Sequence, residues 1–85
     1  MRRPRSESEK ERGRALAQQL VRLRTSVDGL SQSDVANRAN VSIDLVRKIE
    51  RATVVDPGFF TVAKLARVLD GSLDALATTA FEQAP

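Results

Sequence analysis

The chain contains no cysteine, histidine, tyrosine or tryptophan, and only three phenylalanines. Without cysteine there is no disulfide frame and no thiolate metal site. Without histidine the commonest general base and the commonest metal ligand are both missing. No glycine-rich phosphate loop and no clear pair of facing carboxylates occurs. Together these gaps argue against an enzyme and against any bound metal or cofactor. No apolar run approaches the roughly 20 residues that a membrane-spanning helix needs. The start, Met1-Arg2-Arg3-Pro4-Arg5, is basic but no apolar stretch follows it. It therefore does not read as a signal peptide, and a cytoplasmic protein is expected.

What is present is a short chain of uneven charge. Its 85 residues suffice for one domain with a thin stability margin. The net charge is +3. Residues 1–26 hold eight Lys or Arg against three Glu. Residues 52–85 hold two against four acids. A basic N-terminal part opposite an acidic C-terminal part suggests an anionic partner at one face. A merely solvated surface accounts for the same charges equally well.

Local patterns divide the chain into five helices. Residues 1–6 read as a flexible basic arm. Ser6 with Glu9 three residues on fits a capping box. Leu16, Leu20, Leu23 and Val27 then recur at helical spacing, predicting a first helix over 7–26. Asp28-Gly29 ends it. Ser31 caps a short second helix near 32–38, with Val35, Ala36 and Ala39 on one face. Asn40 tolerates the left-handed conformation that ends helices. Ser42 caps a third helix near 43–51, striped by Leu45, Val46 and Ile49. After a loop ending Asp56-Pro57-Gly58, Phe59, Val62, Leu65, Ala66 and Leu69 make the inward face of a fourth helix. Ser72 caps a fifth, with Leu73, Leu76, Ala77, Ala80 and Phe81 as apolar positions; 7–81 forms the domain and 82–85 a frayed tail.

The informative stretch runs from Gln32 to Arg51. Its two short helices are joined by about four residues and must cross sharply. Ala36 has to be small where the helices meet, and Asn40 has to turn the chain abruptly. That is the geometry of a helix-turn-helix.

From Leu16 to Leu76 the chain resembles the Cro/repressor class of helix-turn-helix proteins, also called the xenobiotic-response-element family. The resemblance rests on Leu20-Val21-Arg22-Leu23-Arg24, Gly29-Leu30-Ser31-Gln32, Val35-Ala36 and Val41-Ser42. It continues through Ile49-Glu50-Arg51, Pro57, Leu65-Ala66-Arg67-Val68-Leu69 and Leu73-Asp74-Ala75-Leu76. It implies an all-α, compact, five-helix lambda-repressor-like fold that binds DNA through the third helix.

Residue roles follow from the resemblance, position by position. Gln32 would grip a phosphate and brace the reading helix. Ser42 would meet a phosphate at the start of that helix, besides capping it. Ile43, Asp44, Arg47 and Lys48 would point to bases, with Arg47 the candidate for a bidentate guanine contact. Arg51 would touch backbone phosphate. Arg24 and Glu50 would form a structural ion pair that holds the reading helix at its angle. Three features depart from the pattern. Asp44 is acidic where neutral or basic residues are commoner, and Ala52 stands where the family usually has Gly. The segment Thr53-Val54-Val55-Asp56-Pro57-Gly58 lacks the cations that relatives place on DNA, which the arm residues Arg2, Arg3 and Arg5 would replace.

The expected function is a sequence-specific transcriptional regulator acting as a homodimer on a two-fold operator. Leu73, Leu76, Ala80 and Phe81 are the expected dimer surface, unless they only complete the monomer core. The alternative is a protein-interaction module or antitoxin-type partner that keeps the fold with weak DNA binding.

Overall fold

The computed structural model describes residues 6–54 and 56–83. The expected arm residues Arg2, Arg3 and Arg5, Val55, and the end of the tail lie outside them. Five α-helices run in the order α1 (Glu7–Thr25), α2 (Gln32–Ala39), α3 (Ile43–Glu50), α4 (Phe59–Val68) and α5 (Leu73–Gln83). No strand occurs among the described residues, so the fold is all-α. Helix α5 runs two residues past the expected end at Phe81.

Four serines start four of the helices by the same local chemistry. The hydroxyls of Ser6, Ser31, Ser42 and Ser72 each accept a hydrogen bond from the backbone N–H three residues on, at 3.0–3.2 Å. At Ser31 the cap is reciprocal, because Asp34 accepts from the Ser31 backbone N–H at 3.0 Å. That N–H, with the Ser31 hydroxyl, holds the Asp34 carboxyl below the ordinary carboxylate range. Helix α1 has Glu7 and Glu9 in its first turn and Arg22 and Arg24 in its last, so both ends complement the helix dipole.

Three helix ends turn through a left-handed residue that is not glycine. Asn40, Ala52 and Asp70 have φ of 57°, 58° and 55°. After each, the next N–H reaches back to the carbonyl five residues earlier: Val41 to Ala36, Thr53 to Lys48 and Gly71 to Ala66, at 3.0, 2.9 and 2.8 Å. These are Schellman endings, which satisfy carbonyls the helix leaves open. Ala52 therefore keeps the turn for which a glycine was expected and accepts its strain. A left-handed alanine costs roughly 1–2 kcal/mol, and a glycine would add roughly 0.4–1 kcal/mol of chain entropy when unfolded. Ala52→Gly is thus expected to stabilise the fold by about 0.5–1 kcal/mol, read as a higher urea midpoint at unchanged slope. A lower midpoint would mean that the turn carries no such strain.

The core sits where α2 packs on α3 and α4, with α3 in turn on α1. Its largest fully buried side chains, Val35, Val46 and Ile49, all belong to α2 and α3. Leu20, Leu30, Leu65, Ala66, Leu69 and Leu76 complete it. Burial of each large apolar side chain is worth roughly 1.5–3 kcal/mol, and these contacts hold α2 against α3. Helix α5 lies chiefly on α1.

Three expectations about the core are corrected. Val27 is 44% exposed and lies past α1, because the helix closes at Ser26. There the Thr25 and Ser26 hydroxyls donate to the carbonyls of Val21 and Leu23 at 2.8 and 2.7 Å. Leu30 is buried instead. Phe59 was expected to face inward but is 66% exposed. It opens α4, and its ring meets Phe60 edge-on at 5.3 Å. Leu76, assigned to a dimer surface, is 3% exposed inside the core, so it reaches that surface only as the floor of the apolar pocket lined by Phe59, Leu73 and Ala80. Of that set Leu73 and Phe81 are exposed and Ala80 is half-buried.

Candidate nucleic-acid interface

Helix α3 is sharply two-sided. Val46 and Ile49 point into the core, while Asp44, Arg47, Lys48 and Arg51 are exposed. At its start Leu45 N–H is taken by the Ser42 hydroxyl and Val46 N–H by the Ser42 carbonyl. The amides of Ile43 and Asp44 have no intrahelical partner at such an end and can meet an anion. Ser42 is itself exposed beside them.

The exposed side chains differ in how free they are. Lys48 pairs with Asp44 across one helical turn at 3.0 Å, so Asp44 lies beside a cation on the outer face. Such an exposed pair is worth roughly 0.3–0.5 kcal/mol and is readily given up to a stronger partner. Arg51 donates through Nε to the carbonyl of Arg47 at 3.3 Å, and its terminal nitrogens make no hydrogen bond among the described residues. Arg47 alone of these three cations has no ion pair or side-chain hydrogen bond among the described residues. Ile43 is half-buried and packs against the core, so it is not the fully exposed side chain expected at that position.

Behind this face stands a polar anchor. The guanidinium of Arg24 grips the Glu50 carboxylate with two hydrogen bonds, Nε to Oε2 at 2.7 Å and Nη2 to Oε1 at 3.0 Å. Its Nη1 also donates to the Leu30 carbonyl at 3.1 Å. The side chains are 17% and 9% exposed, so the pair is largely desolvated. The hydrogen bonds from Arg24 to Glu50 push the guanidinium pKa up, burial pulls it down, and the Glu50 charge adds to the rise. The Gln32 amide nitrogen donates to Glu50 Oε1 at 2.9 Å. One carboxylate at the end of α3 thus ties together the end of α1, the start of α2 and, through Leu30, the turn between them. Gln32 was expected to grip a phosphate and brace the reading helix; its amide reaches Glu50 at the end of that helix. The Leu30 carbonyl is a member of the anchor that no sequence signal marked.

Among the described residues no group of acidic, histidine or cysteine side chains is arranged to hold a metal ion. Nor is any described helix long and apolar enough to cross a membrane. Comparison with curated proteins finds no match. The helix-turn-helix domain family matches over residues 15–78, from the second half of α1 into α5. With three-quarters of its length matched, including α2, the turn at Asn40 and all of α3, the chain belongs to the helix-turn-helix domain family.

Proposed function

We propose that the protein is a sequence-specific DNA-binding transcriptional regulator that lays α3 in the major groove. The observation that carries this reading is the outer face of α3. Arg47, Lys48 and Arg51 project from the C-terminal part of a helix whose last residue, the half-buried Glu50, is fixed by Arg24 and Gln32. Rigid placement of that kind is what base readout needs, because a bidentate contact tolerates little misalignment. Arg47 is the guanine reader, Lys48 and Asp44 the pair that meets neighbouring bases, and Arg51 and the start of α3 at Ser42 the phosphate contacts. Gln32 has one amide N–H and its oxygen left to reach a phosphate beside Glu50. The half-buried Ile43 offers the exposed part of its side chain to a thymine methyl.

Two copies acting together would supply the affinity that a single short helix lacks. The apolar strip of Leu73, Ala80 and Phe81 is the surface for that contact, with Phe59 beside it. Phe81 is steadied by the Arg12 guanidinium, 5.3 Å from its ring.

A second reading is a protein-interaction module with weak DNA binding. It is favoured by the Asp44–Lys48 pair and by the absence of cations from residues 52–58. Selection of bound sequences from random DNA, followed by affinity measurements across salt, separates the two. A DNA reader returns an inverted repeat with half-sites about 10–10.5 base pairs apart. Its log affinity falls with log salt at a slope near −0.9 per phosphate contacted. No enriched motif, or association indifferent to salt, sinks the DNA reading.

A further inference from the structure

A second cationic feature lies away from the exposed face of α3. The only two basic residues of segment 52–85, Lys64 and Arg67, both lie on α4. They share a shallow depression of about 410 Å³ with Arg38, at the end of α2, over a floor of Ala39 and Val68. Among the described residues no carboxylate and no residue of α3 lines it. None of its three cations makes an ion pair or a side-chain hydrogen bond among the described residues. Asp34, one turn back on α2, feels Arg38 only weakly, since its carboxyl is held chiefly by Ser31.

The three like charges repel one another, and no carboxylate lining the depression offsets them among the described residues. We propose that this depression is a docking site for an acidic, partly apolar protein segment, separate from the DNA-reading face. The cations form a rim for carboxylates, while the half-buried Val68, with the buried Ala39 beneath, offers a small apolar floor for a side chain between them. That layout, apolar at the centre and polar at the edge, is the anatomy of a protein interface. A sugar–phosphate backbone would use the rim and leave the floor empty. Complementary charge would chiefly speed association and choose the partner. A regulator with such a site can hold DNA on α3 and a protein on α2 and α4 at once.

The test uses the full-length ¹⁵N-labelled protein and two synthetic peptides, one alternating Glu and Leu, the other the same with Gln for Glu. The acidic peptide is expected to shift the amide signals of Arg38, Ala39, Lys64, Arg67 and Val68, while the Gln peptide leaves them in place. Arg38→Glu and Arg67→Glu, both at exposed positions, are expected to move the thermal midpoint by no more than about 5 °C and to weaken acidic-peptide binding about fivefold each. They are expected to leave DNA affinity within about twofold, since lost phosphate contacts would also flatten the salt slope. No peptide-induced shift, or shifts confined to Arg47 and Lys48, overturns the proposal. So does a loss of DNA affinity with a flatter salt slope in Arg67→Glu, which would assign the depression to the duplex. Because the peptide arm contains no DNA, it stands or falls independently of the DNA reading.

Discussion

Glu50→Ala is expected to lower stability by about 3 kcal/mol, the low end of what breaking a buried ion pair costs. The low end applies because the two side chains retain 17% and 9% exposure, so water partly relieves the charge left behind. The substitution strands the Arg24 guanidinium, which keeps only its bond to the Leu30 carbonyl, and it frees the Gln32 amide. For a domain of this size the thermal midpoint should fall by roughly 10–20 °C. Arg24→Ala should cost less, because the Glu50 carboxylate left behind keeps the Gln32 amide. The double substitution should cost clearly less than the sum of the two, with a coupling above about 1 kcal/mol. Strict additivity would show that Arg24 and Glu50 do not act as a pair. The loss should also reach function. With α3 untied from α1 and α2, affinity for a selected operator should drop even at temperatures where the variant is folded.

The parts of this architecture that could be read from residues are those decided within a few positions of chain. Ser6, Ser31, Ser42 and Ser72 cap helices because a hydroxyl reaches an amide three residues away, whatever lies around it. Asn40 turns left-handed for an equally local reason. Burial is different, because it depends on where distant helices come to rest. Leu73, Leu76 and Ala80 look alike on a helical stripe, yet only Leu76 meets the core. Phe59 shares its stripe with Val62 and Leu65 but opens α4, where its ring is left largely in solvent. The Arg24–Glu50 pair spans 26 residues, and no periodicity could join them; the family resemblance supplied it. The depression formed by Arg38, Lys64 and Arg67 had no sequence signal, because it exists only where α4 packs on α2.

Arg47→Ala should leave the fold intact and change what the protein reads. The side chain is exposed and uncommitted, so its loss should move stability by no more than about 0.5 kcal/mol. A lost bidentate base contact costs roughly 1–3 kcal/mol in each half-site and relaxes preference at one base pair. In the proposed symmetric dimer the contact is lost twice, so operator affinity should fall by about 2–6 kcal/mol while non-specific binding falls far less. Lys48→Ala should behave differently. It leaves Asp44 without the ammonium 3.0 Å away, and an unpaired carboxylate brought into the field of the duplex should weaken binding to every sequence. Adding Asp44→Asn to Lys48→Ala should then restore part of that general loss without restoring base preference. The readout is a selected motif and a salt series for each variant. If Arg47→Ala returns the wild-type motif, the base-reading role belongs to another side chain on α3. If Asp44→Asn does not rescue Lys48→Ala, the pair seen between them does not control how the helix meets DNA.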